Sequence, residues 1–426
     1  MASAPEHTIA PESPVLKYKR KLNLSGRLGR SDRSHLAVWF WELDRVLLTF
    51  IFVLMAIGLI AVAAASPATA QRLSDTTTTL NPLLYFYKQL VWLILGVPVM
   101  LFVSMLPKTQ ARRLAIILCA VFLFLLLLVP LIGTSVNGAR RWIGYGLTIQ
   151  PSEFLKPVFA VTLAWVLSWK AKDATMPVVG LSMILTGTIG ILLMMQPNLG
   201  ATIIFCGIWF VLILLAGLSA QIIGISIAGG LGGLVLAYFF YPVATQRINT
   251  WIFGGGEYDQ VAFAHRTLTS GGFIGKGPGM GTEKFKLPEA HTDYIFSVIG
   301  EEFGLLACAG VAIVFFAIIA RVLMRLLDEE DVFTIMAVTG LTTQLGGQAI
   351  INMAVNLQLF PSKGMTLPFI SYGGSSMIAL CLGTGLLLAL TRRNPYLNRS
   401  SYAKDGFQMN GQKGSHISGQ TSGESK

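Results

Sequence analysis

Charge is scarce in this chain. Only 12% of its 426 residues are Asp, Glu, Lys or Arg, about half the share of a soluble domain, which excludes an ordinary water-soluble fold. Cysteine is scarce too. Cys119, Cys206, Cys308 and Cys381 lie in apolar runs without metal-ligand spacing. No disulfide framework or thiolate metal site is expected, and the four read as small packing residues. No internal repeat of roughly 20–50 residues is visible. No nucleotide motif occurs either. The glycine-rich string 271–281 has Ser270 where a phosphate loop needs its first glycine, and Gly277 where Ser or Thr should follow Lys276. It is read as flexible packing against the membrane surface.

What is present is apolar. Hydrophobic residues make up 53% of the chain and the mean hydropathy is +0.64. The chain reads as an all-α polytopic membrane protein. Long apolar runs, not alternating ten-residue segments, favour a helix bundle over a barrel. Ten spans are expected, near 46–65, 86–105, 111–132, 153–170, 176–195, 199–217, 220–241, 294–322, 332–356 and 368–391. Gly229–Gly233 in the seventh contains G-x-x-x-G, a pattern for close helix packing.

The +11 formal charge reads as membrane topology, not as nucleic-acid binding. Of 32 lysines and arginines, 21 fall on one side of an alternating arrangement and nine on the other. This asymmetry puts both termini in the cytoplasm. Residues 1–45 read as a basic, disordered cytoplasmic tail touching anionic lipid, 46–393 as the membrane domain and 394–426 as a second tail. The small-residue run 64–70 resembles a cleavage site. The preceding basic region is too long for a signal peptide, so the first span is expected as an uncleaved anchor.

Two external loops carry chemistry. Asn137-Gly138-Ala139-Arg140-Arg141-Trp142 leads into Gln150-Pro151-Ser152-Glu153-Phe154-Leu155-Lys156-Pro157. Paired arginines beside a tryptophan suit phosphate, from a substrate or from lipid headgroups. Glu153 and Lys156 share a helix face, either as a structural ion pair or as substrate contacts. Gln196 to Thr202 reads as a tight turn. The 242–293 loop, between spans seven and eight, is too long for a mere connection.

That loop ends in Pro288-Glu289-Ala290-His291-Thr292-Asp293. Asp293 at the membrane boundary is a candidate proton acceptor or cation ligand. Glu301 lies roughly 80° round the helix and about 12 Å deeper, with Ser297 between, while Glu302 points roughly opposite. Both acids need a cavity or a partner, with Lys156 or an arginine as candidates. From Phe360 to Ser376 two prolines, three glycines and four serines, Ser371 among them, predict irregular backbone at membrane depth, with Lys363 facing a wet cavity.

These segments, N-G-A-R-R-W-I, Q-P-S-E-F-x-K-P, P-E-A-H-T-D-Y-I-F-S-V-I-G-E-E-F-G and L-P-F-I-S-Y-G-G-S-S, resemble the SEDS family of bacterial envelope glycosyltransferases (shape, elongation, division and sporulation). The resemblance runs over roughly residues 40–395 and is nearest the division branch. It implies glycan-strand polymerisation from lipid II, with release of undecaprenyl pyrophosphate, in the bacterial inner membrane at the division septum. It implies Asp293 as the catalytic residue. Arg140, Arg141 and Lys363 are placed around the same cavity, and Glu153, Lys156, Ser371 and Glu301 are counted with the substrate-binding residues. Implied partners are a class B penicillin-binding protein and other divisome membrane proteins. This chain has no external S-x-x-K motif of its own for crosslinking. No dedicated metal cage is visible, so a divalent cation, Mg or Mn, stays open. Two alternatives remain: a lipid II flippase coupling protons through Lys156, Glu301 and Glu302, and a non-catalytic scaffold.

Overall fold

A computed structural model describes residues 35–392 except 75–78, 137–138, 145–147, 172, 174, 218, 255–258 and 363. The chain divides into two units, Met1–Leu43 with Arg393–Lys426, and Asp44–Arg392. In the first, the described part is the helix α1 (His35–Glu42). It corrects the expectation of a structureless tail reaching residue 45, because Leu36 to Trp41 form a short apolar run. The remainder of both expected tails lies outside the described residues.

The second unit is helical. Its elements are α2 (Arg45–Leu73), α3 (Leu84–Ser104), α4 (Lys108–Ile132), the strands β1 (Thr134–Val136) and β2 (Ala139–Trp142), α5 (Pro151–Ser168), α6 (Val178–Met195), α7 (Leu199–Leu215), α8 (Ala220–Phe240), α9 (Pro242–Phe253), α10 (Gln260–Ser270), α11 (Ile295–Leu326), α12 (Val332–Asn356) and α13 (Ser375–Leu390). Each expected span coincides with one long helix. Seven are long and apolar enough to cross a membrane; α7 and α13 are shorter. Helix α12 falls outside the seven because Thr342, Gln344, Gln348, Asn352 and Asn356 lower its hydropathy, and all five are buried. The last span begins later than expected, at Ser375, after an irregular segment.

Starts are fixed locally. Asp44, Asp259 and Asp331 accept backbone amides of the first turns of α2, α10 and α12, and Asn198 does so for α7. Each satisfies donors the helix leaves open. Asp44 also pairs with Arg321 and Arg325 at 2.9 Å each. Burial pushes its carboxyl up, but the Arg321 bond, the Leu47 amide and the Arg325 charge outweigh that and hold it below the ordinary value.

Helix α5 lies at the centre, 78% buried over its apolar window, against α4, α12 and α13. Helix α8 has no buried residue, and a Cβ on any of Gly229, Gly230, Gly232 or Gly233 would meet open space. The close helix packing expected there does not occur among the described residues. The run 64–70 lies inside α2 with Ala65, Ser66, Ala68, Thr69 and Ala70 buried.

The 242–293 segment contains α9 and α10, and the backbone of its glycine-rich part is tied to α11. Helix α11 is interrupted at Gly304 (φ 83°, ψ 175°). There the 271–277 strand of chain laces into the break. Lys276 and Gly277 amides donate to Glu301 and Glu302 carbonyls (2.9 and 3.0 Å), and Leu305 and Leu306 amides donate to Gly272 and Phe273 carbonyls (2.9 and 3.3 Å). Backbone groups freed by the break are thereby satisfied inside protein, as membrane depth requires.

Candidate active site

Asp293 stands in a tight turn just before α11. Thr292 and Tyr294 amides donate to the Glu289 carbonyl (3.1 and 3.3 Å), and the Thr292 hydroxyl donates to the Glu289 carboxylate at 2.8 Å. Glu289 takes a left-handed φ of 53°, which costs a side-chain-bearing residue roughly 1–2 kcal/mol. His291 anchors the turn to α2 and α3. Its Nδ1 is 3.0 Å from the Thr69 hydroxyl, and its ring lies against Tyr85 and Tyr372. Burial, helped by Lys88, pushes the imidazole down to about 4, so it is neutral near pH 7.

The Asp293 carbonyl accepts from Asn352 (2.8 Å) and Asn356 (3.3 Å). Its carboxylate accepts no hydrogen bond among the described residues. It borders a small open recess, lined also by Tyr294, Asn352, Val355, Gly364 and Met365. Burial pushes this carboxyl up to about 7; Glu289 and Glu153 push the same way, while Arg247 and Arg141 pull it down. A half-buried carboxylate, free of partners among the described residues and poised near neutrality, suits a proton acceptor.

The paired arginines separate. Residues 139–142 form a strand of a two-stranded antiparallel hairpin, and successive strand residues point to opposite faces. Arg140 is exposed and, among the described residues, reaches the Pro130 carbonyl at 3.4 Å. Arg141 turns inward. Its Nε donates to the Gln196 carbonyl at 3.0 Å, its Nη2 to the Pro197 carbonyl, and its charge acts on Asp293. The alternation sends the two neighbours to opposite faces of the hairpin.

Glu153 and Lys156 do pair, at 2.7 Å on α5. Lys156 is buried and also donates to Gln348 at 3.3 Å, whose amide donates to the Thr366 carbonyl at 2.9 Å. The pair thus links α5, α12 and the irregular 360–374 segment, and Glu153 adds to the field at Asp293. Ser371 is fully engaged. Its hydroxyl donates to the Thr292 carbonyl at 2.6 Å and accepts the Leu367 amide at 2.8 Å. It pins the Asp293 turn and does not face the recess.

Glu301 has no exposed surface. Its carboxylate accepts the Lys276 ammonium (2.9 Å) and the amides of Thr282, Glu283 and Lys284 (2.8–2.9 Å). Glu302 accepts the Gly279 amide at 2.7 Å and the buried Lys284 ammonium, which also donates to the Ala64 carbonyl of α2. Both acids therefore organise the loop. Their cations are Lys276 and Lys284, not Lys156 or an arginine. Lys363, and Asn137 and Gly138 of the arginine motif, lie outside the described residues.

Sequence reasoning missed three groups here. Arg247 on α9 acts on Asp293 alongside Arg141; it was visible only as one of the outside charges. Asn352 and Asn356, two amides one turn apart in a span, were a signal, since polar groups at such depth need a purpose. Among the described residues no group of three or more His, Cys, Asp and Glu gathers as metal ligands would.

Comparison with known proteins finds a family described as cell cycle protein, with FtsW, RodA and SpoVE as its namesakes, matching residues 44–396. A probable peptidoglycan glycosyltransferase FtsW of Caulobacter vibrioides is 35% identical over 88% of this chain and 95% of its own. Stage V sporulation protein E of Bacillus subtilis is 32% identical over 83% and 98%. One similar solved chain comes from a peptidoglycan synthase complex described as coordinating polymerization and crosslinking (TM-score 0.68, 26% identity, covering 82% of this chain and 97% of that one). The rod shape determining protein RodA of Thermus thermophilus aligns at TM-score 0.60 and 27% identity, over 82% and 96%.

Proposed function

This chain belongs to the cell cycle protein family of FtsW, RodA and SpoVE, and on that premise we propose that it is a peptidoglycan glycosyltransferase that builds septal glycan strands from lipid II. The observation that carries the reading is the Asp293 carboxylate, free of hydrogen bonds among the described residues and bordering a recess within the field of Arg141 and Arg247. Asp293 takes the proton from the 4-hydroxyl of the incoming GlcNAc. That oxygen attacks the anomeric carbon of an α-linked MurNAc pyrophosphate, the carbon–oxygen bond to the pyrophosphate breaks, and a β-1,4 linkage forms with inversion. Undecaprenyl pyrophosphate leaves as charge builds on it, which fixed cations stabilise. Arg141 and Arg247 supply those cations, with Lys363 as a third.

The arrangement proposed has both termini in the cytoplasm and 242–293 outside, in the inner membrane at the septum. A class B penicillin-binding protein supplies the crosslinking this chain lacks. The flippase alternative draws little support from Lys156, Glu301 and Glu302, because each is held in an ion pair. The test is polymerisation of purified lipid II by this protein co-purified with its transpeptidase partner, with Asp293→Asn and EDTA arms. Glycan on a gel from wild type and none from Asp293→Asn is expected. Full-length polymer from Asp293→Asn sinks the assignment, translocation without polymer favours transport, and loss with EDTA assigns a divalent cation.

A further inference from the structure

We propose that Asn352, supported by Asn356, is the positioning residue that aims the Asp293 carboxylate into its recess. The inference rests on the glycosyltransferase reading and adds to it how the base is held. Among the described residues the contacts that hold Asp293 are made to its main chain. That main chain is fixed from α12. Asn352 Nδ2 donates to the Asp293 carbonyl at 2.8 Å and to the Met365 carbonyl at 2.6 Å. Two carbonyls only accept, so the amide nitrogen must face them.

One donor group thus ties the three segments that line the recess: the Asp293 turn, the Gly364–Met365 segment and α12 itself. A Cβ on Gly364 would sit 3.5 Å from the Asp293 Oδ2, so small shifts of either segment change what reaches the carboxylate. Asn356 reinforces the clamp. Its Nδ2 donates to the Asp293 carbonyl at 3.3 Å and to the Asn352 carbonyl at 2.9 Å. Its Oδ1 accepts the Ser297 amide and hydroxyl at 3.2 and 2.6 Å. Both asparagines are buried, so a lost hydrogen bond in this network is costly.

Asn352→Asp keeps the shape, sets an acceptor against two carbonyls and adds a negative charge beside Asp293. Asn352→Leu keeps the bulk and removes the donor. The charges already facing Asp293, namely Glu289, Glu153, Arg141 and Arg247, stay in place in both. The experiment is steady-state polymerisation of lipid II by the co-purified complex across pH, normalised to monodisperse complex.

For Asn352→Leu the expected result is a fall in kcat of about 10–100-fold with KM within about twofold, since a misplaced group costs rate more than binding. For Asn352→Asp the acid limb moves up by about one pH unit, because a like charge favours the protonated base. Asn356→Asp, acting over the longer bond, shifts the limb the same way by less, and it carries the test if the Asn352 variants do not assemble. Wild-type kcat and an unmoved limb in the assembled variants overturn the inference. A wild-type complex that makes no glycan overturns the glycosyltransferase reading and this inference with it.

Discussion

Ser371 donates its hydroxyl to the Thr292 carbonyl at 2.6 Å, one residue before Asp293. The contact crosses from the irregular 366–374 segment to the turn that presents the carboxylate. The neighbouring Tyr372 amide donates to the His291 carbonyl at 2.9 Å. Ser371→Ala leaves the Thr292 carbonyl and the Leu367 amide without that partner, at a cost of about 1–3 kcal/mol. A thermal melt of the detergent-purified protein should fall by several degrees, and polymerisation should drop with KM little changed. A melt equal to wild type rules out the pinning role.

Asp293 is displaced by burial to about 7 from an ordinary 3.8. A base must be ionised, so polymerisation should rise with pH through an acid limb near 7 and not near 4. Stability moves the other way. Between the two values the folded protein holds a proton the unfolded chain has lost, so this group makes stability fall as pH rises through that window. Asp293→Asn should therefore be inactive yet melt higher than wild type at pH 8, with the gap closing towards pH 4. A lower melt for Asp293→Asn at pH 8 contradicts a half-buried carboxylate whose proton affinity is raised by its surroundings.

Arg140 and Arg141 should separate under substitution, although they are neighbours in sequence. Arg140 is exposed with one long contact among the described residues, whereas the charge of Arg141 acts on Asp293 and its guanidinium is braced by two carbonyls. Arg140→Ala should change kcat by no more than a few-fold. Arg141→Ala and Arg247→Ala should each cost about 10²-fold, the scale seen when a donor to developing charge is removed. Steady-state rates of the three variants decide it, and equal losses for Arg140 and Arg141 refute the strand assignment.

That separation marks a limit of the sequence. The spans were legible because long apolar runs bounded by Asp44, Asn198 and Asp331 carry their own start signals. Asp293 was legible because a carboxylate at a membrane boundary is costly. The hairpin was not read, although Asn137-Gly138 is a turn signal, because strands of three and four residues carry almost no periodicity. The partner of Glu301 was not read for another reason. Lys276 and the amides of 282–284 come from the preceding loop, and a helical wheel of the span alone cannot show where that loop folds back.

The break at Gly304 yields the clearest stability test, because the same helix contains its own control. Gly304 has φ 83° and ψ 175°, and a Cβ there would meet the Phe273 carbonyl oxygen at 2.3 Å and the Gly275 amide nitrogen at 2.5 Å. Both neighbours are backbone and cannot swing aside, and the conformation itself is one that L residues avoid. Gly304→Ala should therefore expel the 271–277 loop and with it the lysine and amide partners of Glu301 and Glu302. Buried carboxylates would then lose their partners, which costs about 3–5 kcal/mol for a single broken pair. Gly310, six residues on, has ordinary helical surroundings and nothing within 4 Å of an added Cβ. Gly310→Ala should be neutral or stabilise by about 0.5–1 kcal/mol through helix propensity. Fluorescence-detected size exclusion after a heating series should show Gly304→Ala lost well before wild type and Gly310→Ala surviving at least as long. Equal survival of the two variants contradicts a loop that is part of the helix it interrupts.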